Sequence, residues 1–454
     1  MKIEETFELA FQNHTQKKFK IAEKLYKEIL EKQPDHFQAI FYLGTLSIQT
    51  SKFQIAKTYY EKAIRIKPKN SDAHHNLGAV SQELGDFKKA IACYEKAIQT
   101  NPNNVSANSN LGNLLNELGE YKKALVYCER AIQLNPNYAS AYNNLGNAFK
   151  KIKKNKKAIA CYEKAIQVNP KYFLANYNLG KIFRELGKLT QAIKYFRKSN
   201  FTSSRAELLE CTYLSDNLNE YRKMLGKLVK QEPLNLRVAT MAAYVSKKEN
   251  IKNIYPFCKN PLDFVFVKNL QKELTSINKF SENLLKTLSE IRPVWEPSSN
   301  TTRGGYQSLG NLFDKKNNEI LKLQKIFEKQ IVNYKEIYKN SDDFFIKKWP
   351  AESKFRGWYV KLLKQGHQKS HIHPNGWLSG VFYLKIPKRL NKNEGSIEFT
   401  LYGYDYPIDK NLPNLIHTPK VFDIALFPSS LFHRTIPFRS EEERQVIAFD
   451  LVPK

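Results

Sequence analysis

The sequence predicts a multidomain chain: an all-α solenoid of stacked helical hairpins, followed by a β-rich domain with flanking helices. Three observations carry this. The pair Leu-Gly recurs every 34 residues, from Leu43-Gly44 to Leu179-Gly180. Helical patterning breaks near residue 250, where Pro256 and Pro261 frame a short segment that disfavours helix. From Lys354 onward, short runs rich in β-branched and aromatic residues alternate with Gly, Pro, Asn and Asp.

The repeats come first. Leu-Gly stands at 43–44, 77–78, 111–112, 145–146 and 179–180, and an alanine follows each glycine by twelve residues, at Ala56, Ala90, Ala124, Ala158 and Ala192. Pro68, Pro102, Pro136 and Pro170 close successive units, and Ala22, Tyr26 and Pro34 mark a degenerate first copy. Small residues belong where antiparallel helices cross closely, large ones fill the space between hairpins, and proline ends the second helix. One hairpin cannot bury its own apolar face, so the units must stack into a superhelix with a concave groove. The pattern resembles the tetratricopeptide family. It gives six repeats over residues 1–204, degenerate or capping helices over 205–250, and a second domain over 251–454.

Asn76, Asn110, Asn144 and Asn178 each immediately precede the leucine of a Leu-Gly pair, whereas Tyr42 takes that place one repeat earlier. Asparagine is a poor helix former, and its amide can both donate to and accept from an extended backbone. The series is similar to the asparagine ladder in the repeat domain of O-linked N-acetylglucosamine transferases. That resemblance implies a polypeptide partner gripped in the concave groove. Duplication of a harmless surface residue would give the same series.

Composition narrows the rest. The formal charge is +29, which can steer acidic partners. The lysines are spread along the chain without an arginine-rich arm or a nucleic-acid motif, so nucleic acid is not expected as a partner. Five cysteines without CxxC spacing argue against a disulfide framework or a zinc ribbon and fit a reducing compartment. No apolar run long enough to span a membrane occurs, and the first residues lack a secretory pattern, so a cytoplasmic location is expected.

In the C-terminal part, Leu270–Leu288 and Glu319–Tyr338 read as helices. Phe355–Leu363, Leu378–Ile386, Ser396–Leu401, Val421–Phe427 and Gln445–Val452 read as strands, which suggests a sandwich, barrel or jelly roll. Histidine is scarce, nine in all, yet five fall between 367 and 433. His371 and His373 would share one side of an extended segment. His433 follows a strand, and Arg444 opens the last one. Three ligands on one face leave open positions, the facial arrangement of non-haem Fe(II) oxygenases. Those positions suit a bidentate 2-oxo acid and O₂, and a buried arginine can clamp the far carboxylate of 2-oxoglutarate.

The ordered set of His371-x-His373-Pro374, the strand from Leu378-Ser379-Gly380-Val381 to Tyr383, the Phe427-Pro428-Ser429 segment, His433 and Arg444 resembles the 2-oxoglutarate/Fe(II) oxygenase superfamily, particularly its prolyl-hydroxylase-like branch. It is more closely similar to an oxygenase family often fused to such repeats. The resemblance covers about residues 355–450. It implies a double-stranded β-helix (jelly-roll) fold, Fe(II) on His371, His373 and His433, and 2-oxoglutarate on Arg444, with O₂ as oxidant and ascorbate as reductant. Tyr383 or Tyr359 is a further candidate for the co-substrate carboxylate. The superfamily's second ligand is usually acidic, whereas here it is His373; Asp423 or Glu398 could supply a carboxylate if the fold brought one close. His367 and His417 read as ordinary loop residues.

The expected function is a 2-oxoglutarate- and Fe(II)-dependent dioxygenase that hydroxylates a polypeptide recruited by the repeats. Two alternatives remain at this stage: a peptide-binding scaffold whose β-domain is inactive or senses a metal or oxo acid, and a three-histidine dioxygenase or isomerase that needs no oxo acid.

Overall fold

The computed structural model describes residues 2–454 except 200, 276–278, 292, 298–300, 316 and 405. The chain forms two compact units, Met1–Leu179 and Gly180–Lys454.

The first unit contains five helical hairpins, from Ile3–Thr15 with Phe19–Lys32 to Ala139–Lys151 with Asn155–Val168. The repeat pattern explains their packing. A Cβ on Gly44 would stand 2.8 Å from the Tyr60 ring, and one on Gly146 would stand 2.6 Å from the Tyr162 ring. At Gly44, Gly78 and Gly146 only glycine lets the second helix of the hairpin press an aromatic ring against the backbone of the first, while Gly112 meets the sulfur of Cys128 instead. Ala56, Ala90, Ala124 and Ala158 are fully buried at the same crossings. Asn70 and Asn104 cap the helices that follow them, their side chains accepting from the backbone N–H of Ala73 and Ala107. The sixth hairpin, Phe173–Glu185 and Leu189–Lys198, falls across the division between the units.

The second unit continues with helices α1 (Thr202–Leu214), α2 (Leu218–Gln231) and α3 (Leu236–Lys248). The composition break near 250 suggested a boundary there, yet these helices lie in one compact unit with the β-rich part. The reason is a shared core. Leu209, Met241 and Tyr244 belong to the same apolar cluster as Phe257, Trp377 and Phe432. The Thr240 hydroxyl also donates to the carbonyl of Ser430 at 2.5 Å, and that of Tyr244 to the carbonyl of Pro407 at 3.0 Å.

Among the described residues the β-rich part holds ten strands: β1 Phe266–Asn269, β2 Val294–Trp295, β3 Thr302–Gln307, β4 Ser353–Gln368, β5 Leu378–Lys385, β6 Ile397–Thr400, β7 Asn414–His417, β8 Asp423–Pro428, β9 Phe432–Thr435 and β10 Arg444–Pro453. All named pairings are antiparallel. Seven strands form one sheet in the order β1-β8-β5-β10-β4-β3-β2, and three form a second in the order β7-β6-β9. Alternation along each strand separates two cores. Val360, Val381, Phe399, Ala425, Phe427, Val446 and Ala448 form the core between the sheets. Residues of opposite parity, such as Phe382 and Phe449, pack on helix α4 (Asn318–Ile337), whose Phe327 ring stacks 4.5 Å from that of Phe449.

All five expected strands are present. The expected helix over Leu270–Leu288 is instead Gln271–Thr275 and Phe280–Ser289, with 276–278 outside the described residues. The strands that pattern did not reveal are short or atypical: β3 carries Gly304 and Gly305, and β9 is the four residues Phe432–Thr435. The five cysteines are free, and no helix among the described residues is long and apolar enough to cross a membrane.

Candidate metal centre

Backbone pairing brings the remote histidine to the pair. His371 and His433 form an isolated antiparallel bridge, each N–H donating to the other's carbonyl at 3.1 Å. Such a reciprocally bonded pair puts both side chains on one face. The rings of His371 and His433 are 4.3 Å apart, His371 and His373 5.0 Å, and His373 and His433 4.9 Å. One ring nitrogen from each lies within 4.8 Å of the others. The N–H of His373 is held by the carbonyl of Ser429 at 3.0 Å.

Hydrogen bonds assign which nitrogen is available. Nδ1 of His371 faces the carbonyl of Lys369 at 2.7 Å, and Nδ1 of His433 that of Leu431 at 3.1 Å. Nδ1 of His373 lies 2.5 Å from Oδ1 of Asp450. Each acceptor requires the proton on Nδ1, which leaves every Nε2 lone pair for a shared cation. Burial and the neighbouring His373 hold His371 down to about 3, and burial with both neighbours holds His433 well below its ordinary value. Two of the three rings are thus kept neutral, the form a metal needs.

A second feature lies along the same interior. Arg444, Val446, Ala448 and Asp450 alternate on the inner face of β10, beside Tyr383, Val381 and Ser379 of β5. Asp450 and Ser379 meet at His373, while Arg444 lies six residues away along β10 and Tyr383 four residues away along β5. Arg444 is only 1% exposed, and its guanidinium lies 5.1 Å from the Tyr383 ring centre. Its Nε and Nη1 have no hydrogen-bond partner among the described residues. Burial lowers its pKa and pushes the Tyr383 hydroxyl up to about 12. A buried guanidinium without an anion is costly, so the slot is built for a carboxylate. Three converging imidazoles and one buried guanidinium fit a divalent metal with an acidic chelator.

A cleft of about 620 Å³ opens onto His371 and His373, walled by Gln307, Trp358, Gln368 and Tyr404. Trp358 meets His373 edge-on at 5.3 Å, and its indole N–H is buried without a partner among the described residues. The Tyr404 wall is fastened from helix α3. The Arg237 guanidinium lies 4.9 Å from the Tyr404 ring centre and donates to Glu210 and Glu207, which also receive Arg184.

Several expectations change. Tyr359 lies on the opposite face of β4, in the core with Phe355 and Phe449, because neighbouring residues of a strand point to opposite sides; it does not face the co-substrate slot. Asp423 is occupied by His417, Lys420 and Asn269, and Glu398 by Arg434, so neither reaches the imidazoles. The acid at the site is Asp450, which sequence reasoning missed. The signal was an aspartate inside the apolar strand Val446-Ile447-Ala448-Phe449-Asp450-Leu451, at the same parity as Arg444. The His367 ring bonds the carbonyl of Gln365 and lies outside the cluster. His417 pairs with Asp423 near Tyr383.

The asparagine series is engaged within the solenoid. Asn76 donates to the Tyr60 hydroxyl, Asn110 to Nε2 of His75, Asn144 to the carbonyl and Oγ of Ser109, and Asn178 to Oδ1 of Asn143. Each amide nitrogen therefore bridges to the preceding repeat: Asn110, Asn144 and Asn178 reach residues about one period back on the neighbouring first helix, and Asn76 reaches Tyr60 on a second helix.

Fold and site define a class: a helical-repeat chain carrying an antiparallel double-sheet domain with three inward imidazoles and a buried arginine. Residues 356–450 match the family described as "Putative 2OG-Fe(II) oxygenase". Residues 37–70, 71–104, 105–138, 139–172 and 161–194 match tetratricopeptide repeat models. The chain thus joins tetratricopeptide repeats to a domain of that oxygenase family, whose description implies Fe(II), 2-oxoglutarate and O₂. No curated protein matches the chain in sequence. Similar solved structures include PilF of Pseudomonas aeruginosa (22% identity, 46% of this chain and 96% of that one, TM-score 0.40). PilW, a type IV pilus biogenesis factor, is 20% identical over 45% of this chain and 97% of its own, with a TM-score of 0.42. YrrB, described as having an unusual peptide-binding site, is 25% identical over 37% and 88%, with a TM-score of 0.33.

Proposed function

We propose that the second unit is a 2-oxoglutarate- and Fe(II)-dependent dioxygenase that hydroxylates a polypeptide, and that the repeats bind that polypeptide. The observation that carries this reading is the pairing of three converging imidazoles with a buried arginine whose Nε and Nη1 have no hydrogen-bond partner among the described residues. His371, His373 and His433 would hold the metal, and Arg444 with Tyr383 the far carboxylate of the oxo acid. Bound iron with 2-oxoglutarate and O₂ would supply the oxidation, one oxygen atom entering a C–H bond and the other leaving in succinate as CO₂ departs. The chain's own part is to orient three rings through their Nδ1 bonds, to neutralise the distal carboxylate away from water, and to admit substrate through the cleft at Trp358 and Tyr404. Tetratricopeptide arrays offer extended concave surfaces suited to peptides, which supports a protein side chain as substrate.

The ligand set has an imidazole where the superfamily usually has a carboxylate, and this favours a second reading, in which the domain binds metal and oxo acid as a sensor. Turnover separates the two. Purified protein with Fe(II), ascorbate, O₂ and 2-oxoglutarate should release succinate, and the His433→Ala protein should not. Tight binding of Fe(II) and 2-oxoglutarate without succinate release, with or without peptide, would sink the enzymatic reading in favour of the sensor.

A further inference from the structure

The site carries a carboxylate one bond further out than a ligand would stand. Oδ1 of Asp450 accepts from Nδ1 of His373 at 2.5 Å and from the Ser379 hydroxyl at 2.7 Å. The Ser379 oxygen lies 3.0 Å from the same Nδ1 and 2.8 Å from Oγ of Ser429. Asp450 is 7% exposed, and its ion-pair partner among the described residues is His373. The backbone makes room for this cluster. Gly376 packs so tightly that a Cβ there would stand 2.6 Å from Oγ of Ser429 and 3.2 Å from Cβ of Asp450. By contrast, the Nδ1 atoms of His371 and His433 meet neutral backbone carbonyls. One of the three imidazoles is therefore backed by a full negative charge, and it is the one at the position where the superfamily usually has an acid.

We infer that Asp450 is a positioning residue that supplies the metal site's missing negative charge through His373. Three neutral imidazoles would leave a divalent cation with both its charges. A carboxylate hydrogen-bonded to the far nitrogen of a ligand fixes its tautomer and raises its basicity, so His373 donates more strongly than its two neighbours. Ser379 sets the strength of the effect, because its hydroxyl draws part of the carboxylate's charge away from the imidazole. The inference rests on the reading of the three imidazoles as a metal centre.

The test uses the full-length protein, anaerobic Fe(II) with 2-oxoglutarate, and two readouts: Fe(II) affinity by competition with a chelator, and the energy of the metal-to-ligand absorption band. Asp450→Asn keeps the shape and an acceptor but removes the charge. It should bind Fe(II) about 10- to 100-fold more weakly and move the band to higher energy, with Asp450→Glu restoring part of both. Ser379→Ala, which frees the carboxylate to bond His373 alone, should move the band to lower energy. A purely structural role would shift both variants alike. An unchanged band and affinity in Asp450→Asn, or shifts of the same sign in the two variants, would overturn the inference. If Asp450→Asn does not fold, the sign of the Ser379→Ala shift decides. Wild-type protein that takes up no Fe(II) would instead remove the metal reading beneath it.

Discussion

Replacing Arg444 with methionine should make the protein more stable and less able to bind its co-substrate. Arg444 is 1% exposed, and two of its guanidinium nitrogens have no partner among the described residues. Without a ligand it is a buried charge offset by little more than the face of Tyr383. Replacing buried charges by apolar groups of similar volume is often neutral or stabilising by about 1–4 kcal/mol, so ligand-free Arg444→Met should gain about 1–3 kcal/mol. The co-substrate loses a charge-assisted pair in a site shielded from water. Hydrogen bonds to charged groups contribute about 1.5–3 kcal/mol, which at 1.4 kcal/mol per decade is roughly a 10- to 150-fold loss of 2-oxoglutarate affinity. Urea denaturation of metal-free protein measures the first quantity. Anaerobic titration of Fe(II)-loaded protein with 2-oxoglutarate measures the second. A variant that is destabilised by several kcal/mol would show that Arg444 is a structural residue satisfied in the free protein. Unchanged 2-oxoglutarate affinity would show that the acid binds elsewhere.

Three further outcomes follow from the geometry. Tyr359→Phe should leave 2-oxoglutarate affinity within about twofold of wild type, whereas Tyr383→Phe should weaken it, as the same titration will show; only Tyr383 shares the inner face with Arg444. Burial raises the Glu207 carboxyl, but Arg237 and Arg184 outweigh it, so its pKa lies below the ordinary value. The unfolded chain then binds the proton more readily, so this contribution is complete above about pH 4.3 and is lost as pH falls below it. Glu207→Gln should cost about 3 kcal/mol at pH 7 and flatten the acid limb of a plot of urea stability against pH; an unaltered limb would count against the network. Asn144→Ala should lower the stability of the repeats by about 1–3 kcal/mol, since the amide donates to Ser109 of the preceding repeat. A neutral effect on melting with a loss of peptide binding would instead assign Asn144 the gripping role.

The repeats were legible because their order is local. A period of 34 residues, with glycine facing an aromatic ring or, at Gly112, the sulfur of Cys128 across the hairpin, is written along the chain and needs no distant partner. The longer strands were legible for the same reason, through alternation and the turn residues around them. β3 and β9 were not, because two glycines in one and the brevity of the other leave no periodic signal; their pairing with β4 and β6 makes them strands. The histidines and Arg444 could be nominated as residue types, but their convergence could not be read from spacing alone.

Sequence by itself determined the helical superhelix, the β-rich character of the C-terminal part, and the set of imidazoles and guanidinium available for chemistry. Tertiary structure alone decided that helices α1–α3 share a core with the sheets, that Tyr383 rather than Tyr359 faces the slot, and that the site's acid is Asp450. These were decided by parity and register. A side chain's face depends on which neighbour its strand pairs with, and a carboxylate 77 residues from His373 becomes its partner only when β10 lies beside β5.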